Sequence, residues 1–239
     1  MKICFITAIT GGYEAKLHEP IAQTVNCDFI AFTDEVVYSD SWLAFPLSFH
    51  PKEITNPYDV AKWYKLQWHK ISLLKLYEYV VWIDGSIEIS NKRCAEWIIE
   101  KNNLCTMFSH EWRNGMLINE ALGMKDCKRY DAETPVLTLD KYYNKGFKET
   151  YFRLQPCCKH PDYGVWITCF VAWKNIDMIL PKLLDDWWYE HLHSTKNDQL
   201  SLPYVLYKHK VNPYCLPDDE IQGVPHHSTS FYTKYPHGK

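Results

Sequence analysis

The chain has 239 residues, a formal net charge of -3 and nine cysteines. That length supports a sizeable core in one large domain or two small ones. The slight negative charge argues against a general nucleic-acid binder, although a local basic cleft can still hold phosphates. No run of about 18 apolar residues occurs, which excludes a membrane-spanning helix.

In chain order, residues 3–9 (Ile-Cys-Phe-Ile-Thr-Ala-Ile) read as a buried strand ended by Thr10-Gly11-Gly12. Residues 16–25 read as a short helix interrupted near Pro20. Residues 28–33 (Asp-Phe-Ile-Ala-Phe-Thr) read as a second strand, closed by Asp34-Glu35. From Pro57 to Tyr77, Val60, Trp63, Tyr64, Leu66, Trp68, Ile71, Leu74 and Leu76 recur at three- and four-residue spacing, the period of a helix. Asn56 or Thr55 can cap that helix, with Pro57 at its first position.

The run Tyr79-Val80-Val81-Trp82-Ile83 then drives into Asp84, passes Gly85 and Ser86, and resumes as Ile87-Glu88-Ile89. A buried strand carries a carboxylate only where something answers its charge. Gly85 lets the backbone bend, or a ligand approach closely, where that carboxylate emerges.

Residues 91–103 read as a helix, 104–108 as a strand, and His110 to Arg129 as a polar-faced helix. Residues 163–173 form a long apolar strand, followed by helices over 176–193 and 198–208. The tail, about 212–239, has no period and reads as a loop that lies over a site or is disordered. Strands alternating with helices indicate an α/β sheet with parallel pairs. With no linker, charge block or internal repeat, a single domain over 1–239 is expected.

The odd cysteine count, with the Cys157-Cys158 doublet, fits free buried thiols in a reducing compartment rather than a disulfide framework or a structural zinc. The N-terminal stretch reaches Thr10-Gly11-Gly12 too soon for a signal-peptide core, so a cytoplasmic location is expected.

In open α/β sheets, ligands bind beyond the carboxyl ends of the strands. Three strands end there in polar groups: Thr10-Gly11-Gly12-Tyr13, Thr33-Asp34 and Asp84-Gly85-Ser86. Each has a plain reading as a turn or cap. Together on one rim they can seat a nucleotide, with backbone N–H groups, an acceptor for base or ribose, and a carboxylate for a divalent metal. Neither the Rossmann glycine pattern nor a P-loop is present. Lys62, Lys65 and His69 fall at i, i+3 and i+7, either a solvated stripe or a cationic lining for phosphate. Asn197 or Asp198 can cap the following helix, or Asp198-Gln199 can face sugar hydroxyls. His226 and His227 can swing in from the tail to complete a metal shell, or stay solvated. No catalytic triad order, HExxH or nucleophile elbow occurs.

Residues 61–89, from Ala61-Lys62-Trp63-Tyr64-Lys65 to Trp82-Ile83-Asp84-Gly85-Ser86-Ile87-Glu88-Ile89, resemble a glycosyltransferase-like domain family first catalogued as a domain of unknown function. Its plant members act in pollen turgor control and seed-mucilage pectin synthesis. The resemblance continues through Phe108-Ser109-His110 with Arg113 and Glu120, then Tyr163-Gly164-Val165-Trp166. It closes with Trp187-Trp188-Tyr189-Glu190 and Asn197-Asp198-Gln199-Leu200-Ser201. It implies a GT-A fold, an α/β sandwich with a mostly parallel central sheet and flanking helices. Such enzymes hold Mn2+ or Mg2+ on the donor diphosphate with an Asp-x-Asp element; Asp84-Gly85-Ser86 lacks the second carboxylate. Ser86, water, Glu88, His226 or His227 would compensate. The resemblance also places Lys65 and Lys62 near the donor and Asp198 and Gln199 on its sugar.

The expected function is therefore transfer of a sugar from a nucleotide-diphosphate donor, UDP- or GDP-linked, to a hydroxyl of a glycan acceptor. Thr10 to Tyr13 and Asp34 would seat the nucleoside, and His110, Glu111 or Asp162 would serve the acceptor side. Two rivals stand beside it: a hydrolase acting on a lipid amide or glycoside, and a non-catalytic glycan- or nucleotide-binding module on a degenerate GT-A fold.

Overall fold

Residues 3–9 form β1 (Ile3–Ile9), buried along nearly its whole length, and a parallel sheet grows outward from it. The structure, a computed structural model, describes residues 1–14, 16–110, 113, 116–124, 133–148, 164–175, 178–216 and 230–237. The chain divides into two compact units: Met1–Asn103, Cys169–Ile176 and Asp219–Lys239 in the first, Leu104–Thr168 and Asp177–Asp218 in the second.

In the first unit, β1 pairs in parallel with β2 (Cys27–Thr33) and β4 (Tyr79–Ile83), and β2 pairs in parallel with β3 (Trp42–Pro46). Cover on both faces explains why β1 and β4 read as unbroken apolar runs rather than alternating ones. β4 also pairs antiparallel with β7 (Trp166–Lys174), whose first three residues belong to the second unit. The hydrogen-bonded order is β3-β2-β1-β4-β7-β6-β8, a seven-stranded, mostly parallel sheet in which β6 (Cys105–Ser109) and β8 (Tyr214–Leu216) come from the second unit. Residues 42–46 are a strand that the sequence reading leaves out. They are short and largely exposed, and they end in a proline, which only an edge strand tolerates.

Helix α1 (Pro57–Leu66) packs on β1 and starts as its sequence indicates: the Asn56 side chain accepts from Tyr58 N at 2.9 Å, and Pro57 follows. It stops at Leu66, well short of Tyr77. Beyond it the bonds shorten to i→i-3, as in Lys70 N to Gln67 O and Ile71 N to Trp68 O. Trp68, Ile71 and Leu74, three apart and fully buried, match a three-residue turn as well as a helix. The helix expected over 16–25 is absent from the described residues there. Ile21 N and Thr24 N instead donate to Ile89 O and Lys92 O, so the amides a helix would need are spent elsewhere. Helix α2 (Cys94–Lys101) ends at Asn102, a left-handed cap with φ 51°. Beyond Asp84, residues 87–89 leave the main sheet as β5 (Ile87–Ile89) and pair antiparallel with β9 (Tyr232–Lys234). The tail is thus partly ordered strand.

The second unit pairs β6 in parallel with β8. Its helices are α3 (Leu117–Gly123), α4 (Thr134–Asn144), α5 (Ile179–His193) and α6 (Asp198–His209). Leu117, Ala121, Leu139, Tyr142, Leu200 and Tyr204 form its core. α4 is a further addition to the sequence reading, and α3 covers only part of the helix expected from His110 onward.

Candidate functional site

The parallel register sets Ile9 beside Thr33 and Ile6 beside Trp82, so β1, β2 and β4 all discharge their carboxyl ends on one edge of the first unit. The three polar strand ends meet there, as expected for an open α/β sheet. Gly11 and Gly12 adopt φ of +61° and +64°, the left-handed region that side chains resist. Gly11 N donates to the Asp34 carboxylate at 2.8 Å, and the Thr10 hydroxyl donates to Pro57 O at 2.7 Å, joining the turn to the start of α1. Tyr13 N closes the turn on Thr10 O. One oxygen of Asp34 therefore shapes this loop.

Asp84 stands at the end of β4 with its side chain 32 % exposed. The Trp82 indole N–H donates to its Oδ1 at 2.7 Å, and the Lys65 ammonium lies 3.6 Å from the same oxygen. Lys65 is almost completely buried and rests over the Trp82 ring, 5.7 Å from the centroid. Residue 84 is also held through its backbone, N to Cys169 O and O from Ile87 N, both at 2.9 Å. Ser86 is fully buried, and its hydroxyl has no hydrogen-bond partner among the described residues. Gly85 sits in a crowded place: a Cβ there would stand 3.0 Å from Glu14 Cγ and 3.2 Å from Ile9 Cγ1.

The expected Lys62, Lys65 and His69 stripe does not form. α1 ends at Leu66, which places His69 in a three-residue turn, and Lys62 lies over the Tyr58 ring at 5.3 Å.

Three residues that the sequence reading does not single out join the same cluster. The Glu14 carboxylate, almost buried, meets His237 Nδ1, and the His237 ring leans on Tyr13. Lys234 lies opposite Ile87 on β9, and the adjoining Tyr235 N donates to Ser86 O at 2.8 Å. The Lys234 pKa is raised: Cys169, Asp84, Tyr13 and Glu14 outweigh the cost of burial. Burial pushes the Cys169 thiol up, so it is neutral near pH 7, and the carboxylates of Asp84 and Glu14 are the working counter-charges. Glu14, one residue past the Gly11-Gly12-Tyr13 turn, was within reach of sequence reasoning; Lys234 and His237 carried no local signal.

In the second unit, Asn197 caps α6 by accepting from Leu200 N at 3.0 Å, which settles the capping role between it and Asp198. The buried Asp198 carboxylate accepts from the Thr168 hydroxyl at 3.0 Å, and Gln199 Oε1 accepts from Thr168 N at 3.2 Å. The pair thus clasps one residue of β7. His110 is buried at the end of β6, its ring nitrogen 3.9 Å from Glu120, which Arg113 holds at 2.8 Å. Glu111, Asp162, His226 and His227 lie outside the described residues. No helix among the described residues is long and apolar enough to cross a membrane, and among the described residues Cys4, Cys27, Cys94, Cys105, Cys169 and Cys215 form no disulfide.

No protein-family model matches the sequence, and no curated protein matches it. Among solved structures, the apo form of mouse xyloside xylosyltransferase 1 superposes with a TM-score of 0.53 over 90 % of this chain and 85 % of that one, at 9 % identity. The chain therefore has a GT-A glycosyltransferase fold. The narrower resemblance to the plant pollen-turgor and mucilage family gains no support from these comparisons.

Proposed function

We propose that the protein is a glycosyltransferase that moves a sugar from a nucleotide-diphosphate donor to a hydroxyl of a glycan acceptor. The observation that carries this is the convergence of three strand ends on one rim of a GT-A fold, with the Gly11-Gly12 turn tied to Asp34 and Asp84 beside it. The turn, its Gly11 and Tyr13 N–H groups spent on Asp34 and Thr10, offers a ring at Tyr13 to a nucleoside, UDP- or GDP-linked. Lys65 and Lys234 supply positive charge where a diphosphate leaving group develops negative charge.

We propose that Mn2+ or Mg2+ is not part of this site. No group of three or more His, Cys, Asp or Glu among them is placed to hold an ion. Asp84 Oδ1 is already engaged by Trp82 and Lys65. Of the ligands expected besides Asp84, His226 and His227 lie outside the described residues.

The test is release of nucleotide from a panel of UDP- and GDP-sugars with glycan acceptors present, in the wild type and in Asp84→Asn. Acceptor-dependent release that the substitution abolishes supports transfer. The missing second carboxylate after Asp84 favours one rival, a binding module, which predicts nucleotide binding with no turnover for any sugar. Sugar release from a glycan or glycoside with no nucleotide present would instead identify a hydrolase.

A further inference from the structure

The geometry points to Lys234, delivered by the C-terminal strand β9, as the cation that takes the donor's diphosphate, so that nucleotide binding needs no divalent metal. This rests on the transferase reading and specifies the ligand chemistry of its site.

The cluster at the end of β4 contains two carboxylates, each with a cationic or protonatable partner in place. Asp84 has the buried ammonium of Lys65 at 3.6 Å, and Glu14 has His237. Lys234 adds a third nitrogen base to the group, near both carboxylates. At the end of β4 itself three such groups face two carboxylates, while the Asp34 carboxylate of the same rim is held by Gly11 N. A divalent cation entering here would meet carboxylates already compensated and ammonium groups that repel it. A diphosphate meets the opposite field, and a lysine binds it as a point charge with three donors.

Position supports the same assignment. The β5–β9 ladder fixes Lys234 across from Ile87, and Tyr235 N to Ser86 O anchors the next residue against the Asp84-Gly85-Ser86 turn. Trp82 and Lys65 hold Asp84 from behind, which makes it the fixed counter-charge that keeps the cluster assembled.

Isothermal titration of UDP, GDP and ADP into the full chain tests this, once with EDTA and once with Mn2+, for the wild type, Lys234→Ala, Lys234→Met and Lys234→Arg. Circular dichroism confirms that each variant is folded. The expected result is one nucleotide whose Kd agrees within about twofold in EDTA and Mn2+. Loss of a charge-assisted contact should weaken it at least about tenfold in the Ala and Met variants, with most affinity recovered in Arg. Binding that requires Mn2+ would overturn the metal-free site and leave the transferase reading standing. Unchanged binding in both the Ala and Met variants would overturn the role of Lys234. Failure of every nucleotide under both conditions would bring down the transferase reading itself.

Discussion

The indole N–H of Trp82 donates to the carboxylate of Asp84, two residues further along, at 2.7 Å. Residues two apart on a strand share a face, so the last large side chain of β4 orients the first charged one. Trp82→Phe keeps an aromatic ring and removes the donor. A hydrogen bond to a charged group is worth roughly 1.5–3 kcal/mol, so nucleotide affinity should fall about tenfold or more. Isothermal titration measures it, and wild-type affinity in the variant would show that Asp84 needs no orientation.

Gly85→Ala should be costly although its backbone needs no positive φ. The new methyl would meet Glu14 Cγ at 3.0 Å and Ile9 Cγ1 at 3.2 Å, one a charged side chain and the other a core residue of β1. Overpacking of this kind costs about 1–3 kcal/mol, read as a lower midpoint in chemical denaturation. A variant as stable as wild type would mean that Glu14 swings clear, and its pairing with His237 would then be dispensable.

In the second unit, Glu190 is nearly buried and accepts from Ser194 at 2.6 Å and Lys141 at 3.1 Å. Burial raises its pKa, but the Ser194 and Lys141 hydrogen bonds outweigh this and hold it below the ordinary 4.5. Because the folded pKa is depressed, the stabilisation is complete above about pH 4.5 and is lost as pH falls through the folded value. Lys141→Met should cost about 1–3 kcal/mol at pH 7, with the gap to wild type closing below pH 4.5. Urea denaturation at pH 7 and pH 3 decides it; a gap of equal size at both would mean that Lys141 contributes packing rather than charge.

Cys27 opens β2, and burial together with the neighbouring Asp28 pushes its thiol up to about 11. At pH 8 only about one molecule in a thousand carries the thiolate, the form that alkylates. Its labelling by iodoacetamide, followed by peptide mass spectrometry, should rise about tenfold per pH unit from 8 to 10. Fast labelling at pH 8 would place Cys27 in a more exposed or more cationic setting.

The sequence disclosed what local pattern encodes. Apolar runs at β1 and β4, the Asn56-Pro57 start of α1 and the carboxylate at Asp84 were all legible, because each follows from a neighbour's chemistry. Convergence of Thr10, Asp34 and Asp84 followed from the rule that parallel strands present their carboxyl ends together. Pairing direction was not legible: nothing in residues 166–174 distinguishes the antiparallel β7 from a further parallel strand. Nor was partner choice. Asp198 and Gln199 have the composition of sugar contacts, yet both reach Thr168, which lies 30 and 31 positions earlier. Lys234, Tyr235 and His237 stand in a segment without period, and only pairing with Ile87–Ile89 gives them a place.

That last pairing has a consequence for the order of events in folding. Tyr235 and Glu88 are joined by a hydrogen bond although 147 positions separate them. Closing so long a loop costs entropy that returns only when the whole ladder is in place. On a ribosome, the turn at Asp84 would emerge early and wait for most of the chain to follow. The parallel strands can associate in the meantime, but the cationic face of the cluster cannot exist until residues 232–237 arrive. A chain that stopped between β8 and β9 would contain every strand of the seven-stranded sheet and still lack the residues that complete the cluster.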